Sequence, residues 1–274
     1  MRRPIRCGLI ILALAIVAQA GNAEKLHIEG STTVGPIADG FAEVFKDMYP
    51  DVTITINKSG SGTGAAALMD GRCDIATMSR FMKEQEFKDA VGRGVLPVAH
   101  GVAMDGVCIV VHPSNPIGAL TTEQVRDVYL GKIKNWNQLG GPSVPIVAIS
   151  RDTASGTYET FESFIMKGQR MDSSVEYVST NPQAFARVKN TVGAVAYVGF
   201  GFVQTGVKAV TLNGVKPSRQ TILSGKYPVS RPLFMFTNGY PELGSMAHKF
   251  VTFHLTERGQ EVVEDKGFVP VTDY

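Results

Sequence analysis

The stretch Pro145-Ile146-Val147-Ala148-Ile149-Ser150-Arg151-Asp152-Thr153-Ala154-Ser155-Gly156-Thr157, continued by YETFESFIM (158–166), runs from a β-branched strand through a short polar loop into a helix. The same grammar occurs twice earlier. LHIEG (26–30) leads into Ser31-Thr32-Thr33 and the helix around Phe41–Phe45. VTITIN (52–57) leads into Ser59-Gly60-Ser61-Gly62-Thr63-Gly64 and Ala65-Ala66-Ala67-Leu68. The first turn of a helix carries unpaired backbone N–H groups and the positive end of the macrodipole, so it attracts anions. Small side chains let a ligand oxygen reach those N–H groups, and hydroxyls add uncharged donors. One such joint is ordinary capping and turn chemistry. Three, one of them led by an arginine, predict an oxyanion site shielded from water. Arg151 is the sharpest single charge. Its planar fork suits two ligand oxygens, and the competing reading is a strand-end arginine paired with Asp152.

Outward from these joints, the chain alternates strand and helix patterns. DIATMS (74–79) is followed by a polar helix near Lys83–Gly92 and the apolar strand Gly106–Val111. A helix from Thr121 to Leu130 has Thr121 as its cap and Val125, Val128 and Tyr129 on its inner face. Strands at VEYVS (175–179), AVAYVGF (194–200) and VKAVTLN (207–213), a helix at Pro182–Lys189, the strand LFMFTN (233–238) and a long amphipathic helical region from Glu242 to Glu264 complete the pattern. Such alternation predicts an α/β architecture with mixed or parallel sheets. Proline-marked stretches at 112–116 and 226–232 read as crossings between lobes. The expected division is an outer lobe of 21–112 and 229–274, with 113–228 inserted. Ligands in such folds sit at the carboxyl ends of strands and between domains.

The first twenty residues read as a secretory signal. Arg2, Arg3 and Arg6 precede the apolar stretch Gly8–Ala18, and cleavage is expected after Ala20 or Ala23. The apolar stretch is too short to span a bilayer. Of 27 Lys and Arg, three lie in this segment, which leaves 24 against 25 acidic residues. A near-neutral chain with no basic block argues against nucleic acid as partner. It does not argue against a small anion held by a few local donors. Cys73 and Cys108 remain after cleavage; an oxidising compartment would allow a bridge, which the sequence leaves open.

Other chemistries fit less well. Gly60-Ser61-Gly62-Thr63-Gly64 has G-x-G-x-G spacing rather than the dinucleotide G-x-G-x-x-G, and the acid expected about twenty residues on is missing. Neither Gly131-Lys132 nor Gly225-Lys226 is followed by Ser or Thr, which excludes the nucleotide phosphate loop. Neither Ser61 nor Ser155 sits in G-x-S-x-G. The histidines at 27, 100, 112, 248 and 254 show no H-E-x-x-H spacing and read as solvated or capping. No cofactor or metal is implied. Arg80 reads as lining the cleft, and Trp136 as packing at a lobe surface.

At these residues the chain resembles the periplasmic phosphate-binding proteins of phosphate ABC transporters, over nearly all of the mature sequence. The carriers are GSTT (30–33), SGSGTG (59–64), DIATMSR (74–80), MDGVCIVVHPSNP (104–116), GKIKNWNQLGG (131–141) and RDTASGTYETF (151–161). The resemblance implies a two-lobed type II solute-binding fold, each lobe a mixed sheet flanked by helices, with phosphate held dry in the inter-lobe cleft. It places ligand contacts at Thr32, Thr33, Ser61, Arg151, Ser155, Gly156 and Thr157. Better-known members carry an Asp at the end of the DIATMS strand, as acceptor for the proton of hydrogen phosphate. Here that position is Ser79, so Asp105 and Asp152 become candidate proton acceptors. The implied partners are inorganic phosphate and the permease subunits of an ABC transporter, with the protein a monomer that catalyses no reaction. The alternative is a secreted phosphohydrolase using the same anion loops.

Overall fold

The computed structural model describes residues 24–272. The signal segment, with either cleavage point, and Cys7 lie outside them. The order is β1 (Lys25–Gly30), α1 (Gly35–Met48), β2 (Thr53–Asn57), α2 (Ser61–Met69), β3 (Ile75–Met78), α3 (Glu84–Gly92) and β4 (Pro97–Val111). Next come β5 (Ala119–Leu120), α4 (Thr122–Tyr129), β6 (Val147–Arg151), α5 (Gly156–Phe161, continued by a π turn to Met166), β7 (Glu176–Val178) and α6 (Asn181–Lys189). The chain ends with β8 (Ala194–Gly199), β9 (Lys208–Ala209), β10 (Thr211–Leu212), α7 (Arg219–Leu223), β11 (Ser230–Asn238), α8 (Met246–Thr252) and α9 (Glu257–Asp265).

The strands line up as β2-β1-β3-β11-β4-β8-β6-β7, with β9 beside β4. Strands β2, β1 and β3 are mutually parallel, and β11 runs antiparallel between β3 and β4. Strand β4 is antiparallel to β8, which is followed in parallel by β6 and β7. Each half of this array is covered on both faces. In β11, Leu233 and Met235 face the aromatic cluster of α1 and α8, while Phe234 and Phe236 face α2 and α3. In β8, Val195 and Tyr197 enter one core and Ala194, Ala196 and Val198 another. Both patterns follow from the two-residue period of a strand buried on both sides.

Four readings change. Strand β4 extends nine residues upstream of Gly106. It pairs with β11 through Gly106 and with β8 from Val107, so one strand takes part in both halves of the array. The C-terminal helical region is broken, because a 3-10 turn (Phe253–Leu255) ends at Thr256, whose hydroxyl caps α9 through the Gly259 N–H. His254 is buried there, its Nδ1 2.6 Å from the Val251 carbonyl. Trp136 is fully buried rather than superficial, and its indole N–H donates to the Gly193 carbonyl at 2.9 Å. Cys73 and Cys108 are both buried and free, in separate cores.

Candidate functional site

The three joints meet at the carboxyl ends of β1, β2 and β6, where the two halves of the sheet face each other. Gly60, at φ +110°, brings the second loop against the third: an added Cβ would lie 2.7 Å from the Ala154 carbonyl oxygen. The Gly62 N–H donates to that same carbonyl at 3.0 Å. A Cβ on Gly156 would lie 2.4 Å from Ser61 Oγ and 2.7 Å from Ser79 Oγ. Glycine at both positions therefore permits backbone-to-loop approach across the cleft.

Thr32, Thr33, Ser61, Ser79, Arg151, Ser155, Gly156 and Thr157 are all brought together and buried. Their hydrogen bonds give the cluster a direction. Thr32 Oγ1 accepts from Arg151 Nη2 (3.1 Å) and from Asn181 Nδ2 (3.3 Å). Ser155 Oγ caps α5 by accepting from the N–H groups of Thr157 and Tyr158. Each oxygen has two lone pairs and one proton, so these hydroxyls have their acceptor capacity filled and retain an O–H to donate. Ser61 Oγ accepts from the Ser79 N–H (3.1 Å) and lies 3.4 Å from Ser79 Oγ. Thr33 Oγ1 lies 3.0 Å from Thr157 Oγ1, joining the first loop to the third.

Arg151 supplies the charge. Nη2 also donates to the Ser179 carbonyl at 2.6 Å, whereas buried Nε and Nη1 have no hydrogen-bond partner among the described residues. Burial lowers its pKa to about 10, since a desolvated guanidinium is less stable charged. Tyr197 fixes the backbone beneath it: its hydroxyl accepts the Arg151 N–H at 3.0 Å, and its ring stacks on Phe161 at 3.9 Å between centroids. The arrangement is short of negative charge and rich in donors.

Asp105 and Asp152 are both engaged elsewhere. Asp105 is fully buried; its Oδ2 accepts from Arg231 Nε (3.0 Å) and Nη2 (2.8 Å), and its Oδ1 accepts from the Phe200 N–H (2.8 Å). Burial raises its pKa, with Arg231 opposing that shift. Asp152 Oδ1 accepts from the Ala154 N–H at 3.1 Å, closing the turn of the third loop. Among the described residues neither carboxylate hydrogen-bonds a cluster hydroxyl.

Two participants escaped the sequence reading. Asn181 Nδ2 donates to Thr32 and Thr33, and its Oδ1 accepts from the Gly199 N–H. Arg231 donates from Nη2 to Thr157 Oγ1 (2.9 Å) and from Nη1 to the Gly156 carbonyl (3.2 Å). Asn181 follows a capping Thr180 and passes for part of a helix start. Arg231 stands beside Pro232 and passes for punctuation.

A profile of the PBP superfamily domain matches residues 16–258. The phosphate-binding protein PstS of Bacillus subtilis is 31% identical over 91% of this chain and 81% of its own length. PstS of Pseudomonas aeruginosa is 31% identical over 92% of this chain and 84% of its own. The chain belongs to the phosphate-binding proteins of the PBP superfamily. Solved members superpose accordingly. A Clostridium perfringens substrate-binding protein assigned to phosphate ABC transport, solved with bound phosphate, is 32% identical with a TM-score of 0.84, covering 91% of this chain and 100% of that one. An ABC-type phosphate transport receptor from Vibrio cholerae is 28% identical with a TM-score of 0.73, covering 89% and 99%. These phosphate-binding relatives are transport proteins, not enzymes, and nothing in them favours the phosphohydrolase alternative. The two-lobed periplasmic-binding fold is thereby established for the chain.

Proposed function

We propose that this chain captures inorganic phosphate outside the cytoplasm and delivers it to the permease of an ABC transporter. It acts as a monomer, without nucleic acid, and catalyses no reaction. The observation that carries this reading is the buried Arg151, two of whose nitrogens lack partners among the described residues, beside hydroxyls that retain protons to donate. A buried guanidinium without a counter-ion is unfavourable alone and becomes favourable with an oxyanion. Thr32, Thr33, Ser61, Ser79, Ser155, Gly156 and Thr157 complete the ligand set in this reading, and Asn181 aligns the first two. Asp105 acts through Arg231, which holds Thr157 in place, and Asp152 shapes the third loop. The lobe boundaries are proposed at Gly106/Val107 and Val229/Ser230, where β4 changes partner and β11 begins. No helix among the described residues is long and apolar enough to cross a membrane, and the arginine-led apolar start of the sequence supports export with cleavage after Ala20 or Ala23.

Calorimetric titration with phosphate tests the reading. Wild type binds one phosphate. Arg151→Ala loses about 2–5 kcal/mol of binding, roughly 30- to several-thousand-fold. An affinity within threefold of wild type would remove Arg151 from the site.

A further inference from the structure

Beyond the anion cluster and the Asp105–Arg231 pair, a further charged network crosses the cleft. Arg80 follows Ser79 at the end of β3 and is only 8% exposed. Its Nη1 and Nη2 form a two-pronged pair with Glu86 of α3 at 2.8 and 2.7 Å, and Nη1 also donates to the Phe81 carbonyl at 2.9 Å. All of these partners lie in the same lobe as Arg80. The remaining nitrogen, Nε, donates to Glu159 of α5 in the other lobe, and the Lys83 ammonium pairs with the second oxygen of Glu159. Burial works against the Arg80 charge, but the hydrogen bond to Glu86 and the charge of Glu159 hold its pKa above the ordinary value. Glu159 stands four positions after Ser155 on the helix that this residue caps.

We propose that Glu159 is a positioning residue for phosphate retention, docking the helix of the Ser155-Gly156-Thr157 loop onto Arg80 and Lys83 of the opposite lobe. The inference rests on the phosphate-binding reading for its kinetic arm only. Within its own lobe Arg80 is already neutralised by Glu86, so opening the cleft strands no buried charge there. Glu159 exchanges protein partners for water when the lobes part. The contact therefore belongs to the closed state alone and biases the equilibrium toward it. It also explains why a basic side chain next to the anion cluster does not serve the anion: its donors are committed to carboxylates. Arg80, Lys83 and Glu159 all line a groove of about 580 Å³ between the lobes, which gives dissolved ions a route to the contact.

The test is Glu159→Gln, which removes the charge and keeps the shape. Spin labels on cysteines introduced at exposed Asp51 and Ser173, one in each lobe, report the closed fraction without any ligand. We expect the variant to shift the ligand-free distance distribution toward the longer, open distance. Stopped-flow phosphate binding should show the dissociation rate raised about tenfold and the association rate changed less than threefold. Raising NaCl from 50 to 500 mM should speed dissociation from wild type more than from the variant. Glu86→Gln, which alters the pair within one lobe, gives the reference for a merely structural loss. An unchanged ligand-free distribution in Glu159→Gln overturns the proposal. A dissociation rate within twofold of wild type also overturns it. Failure of wild type to bind phosphate would instead overturn the functional reading, while the label distances still decide this one.

Discussion

Arg151 is costly to the empty protein. Burial lowers its pKa to about 10, so the charged form opposes folding at every pH below about 10, and that opposition is relieved as the pH rises further. Arg151→Met should therefore raise the apo stability by about 1–2 kcal/mol at neutral pH, after allowing for the lost bonds to Thr32 and Ser179. The same variant should lose the thermal shift that phosphate gives wild type, about 2.7 kcal/mol at a hundred times Kd. Differential scanning calorimetry with and without phosphate checks both, and a lower apo Tm would refute the first. Burial raises the Asp105 pKa as well, but Asp105 has a buried partner that depends on it. Asp105→Asn leaves Arg231 buried beside a neutral partner and should cost about 3 kcal/mol in urea denaturation. Combining it with Arg231→Met should cost less than the two separate losses together. Additive losses would dissolve the pair. Arg151 and Ser155 were legible in the sequence because strand, loop and helix signals flank them locally. Arg231 was not, since nothing near Pro232 announces a contact with a loop 75 residues earlier.

At the scale of the element, the loop–helix joint of α5 carries both a cap and a closing surface. Gly156 has no left-handed backbone requirement, and alanine at a first helical position is well tolerated by the helix itself. Its Cβ would nevertheless meet Ser61 and Ser79, which belong to the other lobe. Gly156→Ala should thus leave the unfolding free energy from urea denaturation within about 1 kcal/mol of wild type while lowering phosphate affinity at least tenfold. Equal losses of stability and affinity would show that the clash is not confined to the closed cleft. Helix caps were easily read, as at Thr121, whose hydroxyl accepts the Gln124 N–H. The interruption after α8 was hidden because the amphipathic pattern runs on through it, although Thr256 caps the next helix locally. Gly259 packs so closely on the Phe253 carbonyl that an added Cβ would lie 2.1 Å away, a contact that amphipathic periodicity does not encode.

For the whole molecule, the contacts of Thr32 with Arg151 and of Thr33 with Thr157 and Asn181 join loops from both halves, so phosphate should favour the compact arrangement. Small-angle scattering at saturating phosphate should give a radius of gyration no larger than that of the ligand-free protein, and a smaller one wherever the apo form samples opening. Expansion on binding would rule out the clamp. The alternation of elements made the α/β class readable, whereas the change of partner along β4 was not, because a continuous apolar strand looks the same whichever neighbour it pairs with. That topology has a further consequence for the order of synthesis. Strand β11 lies between β3 and β4, yet it is made more than a hundred residues after both. The first hundred residues to leave the ribosome cannot complete their own sheet, and they must wait, unpaired at two strand edges, until Ser230–Asn238 arrive. A chain wired in this way cannot complete its larger sheet until its last strand has been made.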